Sequence, residues 1–204
     1  MLDSTRYKSL AASELSVTVA DPGLRGDIYD RSGAVLAISV PTKTVIADDF
    51  LITQPLREAR LLSQVLRVPV ATLEPELTER SGYVKLATQL PASQGDKLAS
   101  DDIPGITLLD SSERIDPDGT LAAPLVGSVH ASGAGASGLE YQYNGLLSGK
   151  SGTQTLLESP AGVDLPQGAA LTRTEGAQGT GIELTIDQPL QYVVESALGD
   201  EIAT

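Results

Sequence analysis

Hydrophobic and polar positions alternate at the start of this chain and switch to a helical period further in. Leu15, Val17 and Val19 fall on every second residue before the turn signal Pro22-Gly23, which predicts a lead-in that becomes a strand. Ile28 and the apolar run 35–40 flank Asp30-Arg31-Ser32-Gly33. Two short β runs around a glycine-containing turn predict a hairpin. From 53 to 66 the apolar residues are Leu56, Ala59, Leu62, Val65 and Leu66, with Thr53 in capping position and Pro55 just inside. That spacing predicts an amphipathic helix. A short helix over 70–79, a strand over 83–87, a helix near 92–99 and a strand over 106–109 follow. Residues 51–110 thus read as a compact α/β segment.

Beyond it the chain becomes rich in Gly, Ala and Ser, with SVHASGAGASG at 128–138, a composition that favours tight turns and close backbone approach. A helical stretch over 138–147 and strands near 153–157 and 169–173 are predicted next. The glycine-rich run 175–181 is the best linker or hinge candidate. After a strand at 182–186, Asp187 caps a helix with Pro189 in its first turn and Leu190, Val193, Val194, Ala197 and Leu198 along one side. No internal repeat is present.

Composition narrows the chemistry. Aromatic residues make up 3% of the chain and Trp is absent, so the core must be built from Leu, Val, Ile and Ala. The net charge of -13, from 27 acidic and 14 basic residues, opposes nucleic-acid binding. No stretch approaches the roughly 18 apolar residues of a membrane span, and the first residues lack signal-peptide zones, so the segment is expected to be soluble. With no Cys and a single His130, disulfides, thiolate chemistry and multi-histidine metal sites are excluded, and neither metal nor cofactor is expected. A Ser-His-Asp triad could use only His130, whose plain reading is a strand or turn residue.

Several short motifs invite a catalytic reading. GLLSGKSG (145–152) looks like a phosphate loop, but Gly145 and Gly149 are one residue too close, and a helical pattern precedes it where a strand is needed. Its Lys-Ser-Gly core matches a motif of penicillin-recognising enzymes, yet neither Ser-x-x-Lys nor Ser-x-Asn occurs in the chain, so no catalytic residue is assigned. Arg25-Gly26-Asp27, an adhesion tripeptide, sits at a strand start and reads as coincidence. The pairs Asp48-Asp49 and Asp101-Asp102 read as solvated surface charge.

Four separated boxes, taken in order, resemble the N-terminal dimerisation or pedestal module of class B penicillin-binding proteins. RGDIYDRSGAVLA (25–37) is similar to R-G-x-I-x-D-R-N-G-x-x-L-A, with Ser32 for Asn. RIDPDG with Leu121-Ala122 is similar to R-x-Y-P-x-G-x-x-A, with Asp116 for Tyr. GASGLE (135–140), continuing through Asn144 to Gly149 and Gly152, resembles G-x-S-G-L-E followed by L-x-G-x-x-G. LTID (184–187) with Leu190-Gln191 and 195–198 resembles the strand and helix leading into the catalytic domain. The motif residues so marked are Arg25, Gly26, Asp30, Arg31, Gly33, Arg114, Gly119, Gly138, Glu140, Gly149 and Asp187. Gly26 and Gly33 are expected to allow a sharp approach and a positive-φ turn, and Asp30 to accept turn N–H groups. Glu140 is expected to bond Arg25 or Arg31 and tie the hairpin to the later helix.

The resemblance implies an α+β fold: an elongated β-rich pedestal base from 22–50 and 105–187, a small α/β head insertion at 51–104, a juxtamembrane lead-in at 1–21, and at 188–204 the first helix of a catalytic domain. The parent it implies is a D,D-transpeptidase of peptidoglycan, single-pass anchored and lying at the extracytoplasmic face of the bacterial membrane, with division-type favoured over elongation-type. This segment would be its non-catalytic pedestal, without cofactor. Implied partners are its own transpeptidase domain, packed on the face of Leu190, Val193, Val194 and Leu198, a glycan-polymerising membrane protein, division or elongation regulators, and a second copy in a homodimer. A stand-alone envelope adaptor is the alternative, and a hydrolase using His130 a third reading.

Overall fold

A computed structural model of the chain describes residues 16–21, 23–157 and 172–202. The lead-in before Ser16, including Leu15, and the first part of the strand expected at 169–173 lie outside the described residues. In chain order the elements are β1 (Ser16–Asp21), β2 (Ile28–Tyr29), β3 (Val35–Ala47), α1 (Pro55–Leu66), α2 (Val70–Glu76), β4 (Val84–Pro91), α3 (Ala92–Ser100), β5 (Ile106–Ile115), α4 (Ala123–Val126), α5 (Gly138–Gln142), α6 (Asn144–Leu147), β6 (Gly152–Leu157), β7 (Thr172–Thr174), β8 (Ile182–Glu183) and α7 (Gln188–Ile202). The fold is α+β, as the resemblance implies.

The chain forms two compact units, one from 1–21, 41–111 and 152–175, the other from 22–40, 112–151 and 176–204. These boundaries differ from the expected 50/51 and 104/105. Periodicity places domain ends in loops, whereas here they fall within two strands, β3 and β5, that run longer than the apolar pattern predicts. Residue 41 is a proline, which ended the expected hairpin strand at 40, yet β3 continues to Ala47. Pro41 lies between the residues of β3 that pair with β2 and those that pair with β4, where no N–H to either is required.

In the first unit β1, β6 and β7 form an antiparallel sheet, in register from Ser16 opposite Leu157 to Asp21 opposite Gly152. The later half of β3 pairs antiparallel with β4, Thr42 opposite Pro91 and Ala47 opposite Val84. Helices α1, α2 and α3 contribute Ala59 and Leu62, Leu73, and Leu98 to a core shared with Val45, Leu86 and Leu90. Helix α1 begins at Pro55 in its first turn, a favoured place for a residue without an N–H. The expected cap, Thr53, lies one residue too early; Gln54 takes that position without a side-chain bond. At the other end Arg67 closes α1 with φ 56°, a left-handed conformation usually left to glycine. It costs a non-glycine residue about 1 kcal/mol.

Asp48 and Asp49 correct the reading of solvated charge. Asp48 is 3% exposed and accepts the Phe50 N–H, and Asp49 is 5% exposed and accepts the N–H groups of Ser81 and Gly82, both at 2.8 Å. They are buried acceptors for turn backbone. A sequence pattern cannot separate that use from plain exposure for Asp49, whose donors lie more than 30 residues away. Asp101 and Asp102 are exposed, as read.

In the second unit β2 pairs antiparallel with the start of β3, Ile28 opposite Ala37, and parallel with β8, Ile28 opposite Ile182. The predicted hairpin is present, with Gly33 at φ 85° in its turn. Ile28, Leu36, Ala37, Ala122, Val126 and Leu147 form the core, and Ile182, Leu184 and Ile186 pack against it. The helical stretch expected over 138–147 is two short helices, α5 and α6, separated at Tyr143.

A unit boundary falls at the start of run 175–181, but from Ala177 onward the run is pinned and not free. The N–H of Gly179 donates to Leu24 O at 2.8 Å, that of Thr180 to Leu146 O at 3.0 Å, and Ala177 exchanges two bonds of 2.8 Å with Lys150. Gly179 and Gly181 serve close packing, not flexibility. A Cβ on Gly179 would stand 1.9 Å from the Leu147 carbonyl oxygen.

Candidate functional site

The chemistry of the second unit gathers at a buried charge cluster. Arg25, just before the hairpin, sends its Nε to Glu140 Oε2 at 2.5 Å and its Nη2 to the Glu140 carbonyl at 2.6 Å. Its Nη1 reaches Asn144 Oδ1 at 2.8 Å. Arg114, near the end of β5, donates its Nε to Glu140 Oε1 at 2.8 Å and its Nη1 to Ser39 Oγ at 3.0 Å. The side chains of Arg25, Arg114 and Glu140 are 7, 8 and 2% exposed. Glu140 therefore bonds an arginine from the hairpin segment, as expected, and its second partner is Arg114. Arg31 is exposed and has no part in the cluster.

Burial explains why the cluster is so densely bonded; Arg114 Nη2, which makes no hydrogen bond, still stands 2.8 Å from Glu140 Oε1 as an ion pair. A guanidinium removed from water is tolerated only with an opposite charge and hydrogen bonds, and Glu140 supplies one carboxylate to two of them. Asp116, where the resembled box has Tyr, lies within electrostatic reach of Arg114 and Glu140. Asn144 joins the parts: its Oδ1 accepts from Arg25, from the Gly135 N–H at 2.8 Å and from Ser148 Oγ at 3.2 Å. Asn144 and Ser39 carried no signal in the sequence beyond their place in or near a box. The adhesion reading of Arg25-Gly26-Asp27 fails here, since Arg25 is enclosed.

A second carboxylate organises the hairpin and the start of α7. Asp30 Oδ1 accepts the N–H groups of Ser32 and Ala34 at 2.6 and 2.9 Å and the Ser32 hydroxyl at 2.7 Å, while Oδ2 accepts the Gln188 N–H at 3.0 Å. The Gln188 N–H and then the Ser32 hydroxyl hold the Asp30 carboxyl well below the usual carboxylate range. Asp187 caps α7 through the Leu190 N–H at 3.1 Å. Glu195 accepts the Ala122 N–H at 3.0 Å and the Gln191 side-chain amide at 2.7 Å, so α7 faces its own unit with polar Gln191 and Glu195. Its apolar residues Leu190, Val193, Val194 and Leu198 are exposed.

The marked glycines divide by mechanism. Gly33, Gly119 and Gly138 have φ of 85°, 64° and 58°. Gly26 and Gly149 have ordinary φ, but a Cβ on either would come within 2.3 or 2.6 Å of neighbouring backbone, from Thr180 and Gly23 respectively. Gly145 has neither constraint: it sits in α6 with nothing near its would-be Cβ. Gly145→Ala is thus expected to stabilise the chain by about 0.5–1 kcal/mol in urea denaturation, which a phosphate-binding role for that glycine would not require. The stretch 145–152 runs from helix through a bend into strand β6, the reverse of a phosphate loop.

Carboxylates of opposite tendency set a pH dependence. Asp48 and Glu58 are pushed up, in each case chiefly by burial. Raised groups favour the folded chain below their unfolded values near 4, and that contribution is lost as pH rises through the folded values. Depressed Asp30 contributes above about 4 and loses its contribution as pH falls below it. The melting temperature is expected to rise from pH 7 towards 5 and fall below 4, and a value that drops steadily from 7 to 5 would contradict this assignment.

His130 is exposed in a turn closed by its own N–H to the Ala134 carbonyl. Among the described residues no group of three His, Asp or Glu side chains is placed to hold a metal ion, and no helix is long and apolar enough to cross a membrane. Residues 20–184 match the family model of the penicillin-binding protein dimerisation domain. The chain belongs to that family. Among curated relatives, the peptidoglycan D,D-transpeptidase FtsI of Buchnera aphidicola (Schizaphis graminum) is 28% identical over 185 residues, 87% of this chain and 32% of the relative. FtsI of Escherichia coli K12 is 27% identical over 190 residues, 88% of this chain and 31% of the relative. The dimerisation-domain chain thus spans about a third of the length of these relatives. Penicillin-binding protein 2X of Streptococcus thermophilus shares the fold, with a TM-score of 0.70 at 23% identity over 90% of this chain and 31% of its own. So does the Helicobacter pylori structure of PBP2 in complex with MreC, with a TM-score of 0.59 at 20% identity over 91% of this chain and 39% of that one.

Proposed function

We propose that this dimerisation domain is the non-catalytic pedestal of a division-type peptidoglycan D,D-transpeptidase, lying at the extracytoplasmic face of the membrane. It positions the catalytic domain and offers surfaces to cell-wall assembly partners. The observation that carries the reading is the polarity of α7. Its inward side bonds Ala122 through Glu195, while Leu190, Val193, Val194 and Leu198 are left to water, 45–62% exposed. An apolar helix side of this kind is stable in water only when something covers it, and a following catalytic domain is the cover this reading supplies. The division-type assignment rests on relatives named FtsI. The H. pylori PBP2–MreC complex supports a partner-binding role by fold likeness.

Hydrogen exchange tests the reading. In the 204-residue chain the amides of α7 should exchange faster than those of β3, and in a chain extended through the catalytic domain they should slow markedly. Equal α7 protection in both would overturn the assignment of the helix face. Covalent labelling of the 204-residue chain by a fluorescent penicillin would overturn the non-catalytic role.

A further inference from the structure

The first unit carries a cleft that the pedestal reading does not use. Its volume is about 340 Å³, within the range of specific binding sites. Leu61 and Val65, one turn apart on α1, give it an apolar wall, and Gln94 and Lys97 face them from α3. Gln64 and Arg67 complete the α1 side, and Asp101 lies beyond Lys97.

Two observations point to a ligand. First, Gln64, Arg67, Gln94 and Lys97 make no side-chain hydrogen bond or ion pair with another described residue, so four donor groups, of which Gln94 is half-buried and the others exposed, are open to a ligand. Second, the exposed charges over 55–67 are Arg57, Arg60 and Arg67, all positive, because the helix's acidic residue, Glu58, is buried. Of these Arg67 lines the cleft, where Lys97 joins it against one carboxylate, Asp101. In a chain of net charge -13 that local excess of cations favours an anionic partner.

We propose that the α1–α3 cleft is the docking site for an acidic polypeptide segment of a partner protein, anchored by an apolar side chain against Leu61 and Val65. Arg67 and Lys97 pair its carboxylates, and Gln64 and Gln94 bond its backbone. A phosphate-bearing polymer would use the two cations but leave the apolar wall and the amides without purpose. The inference deepens the scaffold reading by naming a partner chemistry, and the two fail separately: exchange in α7 does not depend on this cleft.

The test uses short synthetic peptides on the 204-residue chain, alternating Glu/Leu, Lys/Leu and Glu/Gly, with inorganic polyphosphate alongside. The Glu/Leu peptide should bind, weaken with added salt, and shift the side-chain amide resonances of Gln64 and Gln94. Arg67→Gly and Lys97→Glu should each weaken it roughly tenfold or more while the chain stays folded, Arg67→Gly with an unchanged or raised melting temperature. Absence of Glu/Leu binding, equal binding of the Lys/Leu or Glu/Gly peptide or of polyphosphate, resonance shifts confined to other surfaces, or variants within about twofold of the parent would overturn it.

Discussion

Replacing Glu140 with alanine is expected to cost about 3–5 kcal/mol of folding stability, read from urea denaturation of the purified chain. Arg25 and Arg114 would be left 7 and 8% exposed without the carboxylate that both bond. Leaving two enclosed cations unpaired is far costlier than the modest net gain of forming the pairs. Glu140→Gln keeps an oxygen acceptor and the side chain's volume while removing the charge, so its loss should be smaller but still measurable. The three-residue replacement Arg25→Met, Arg114→Met and Glu140→Leu should recover much of the loss, because an apolar set of similar size leaves no charge to compensate. A loss below about 1 kcal/mol for Glu140→Ala would mean that water reaches the arginines, and would remove the cluster as the unit's organising element.

Gly179→Ala is the second large effect. With its Cβ 1.9 Å from the Leu147 carbonyl oxygen, the substitution cannot be absorbed by turning a side chain, since the obstacle is backbone. The same segment holds Leu24 and Leu146 through its N–H groups, so any shift also strains those bonds. A loss of about 3 kcal/mol or more is expected, against the gain expected for Gly145→Ala only two residues before Leu147 in the chain. If Gly179→Ala changed stability by less than about 0.5 kcal/mol, the segment would be behaving as the linker its composition resembles.

These two glycines show where sequence was informative and where it was not. The hairpin around Gly33, helix α1 and the Asp187 cap were legible because each is fixed by neighbours within a few residues: a turn, an apolar period, a carboxylate three residues before its donor. Glu140 was legible as a residue needing an arginine, from its place in a family box. Its second partner was not, because Arg114 arrives from a strand 26 residues earlier and nothing local distinguishes it from exposed Arg31. The part of run 175–181 from Ala177 onward was misread for the same reason. Glycine serves flexibility and close approach alike, and only the facing backbone of Leu24, Leu146 and Leu147 decides between them. Asp48 and Asp49 were misread as surface charge because their burial depends on the folded surroundings, and Ser81 and Gly82, which bond Asp49, lie far along the chain.

Asp30 touches both ends of one mechanical question. Its two oxygens hold the hairpin turn and the first N–H of α7 at once, so the carboxylate fixes the direction in which that helix leaves. At 15 residues α7 is about 22 Å long, and a tilt of about 10° at its base would carry its tip about 4 Å. A small rearrangement of a four-residue turn is in this way magnified along a rod, whose uncovered leucine and valine side chains run from its first turn to Leu198.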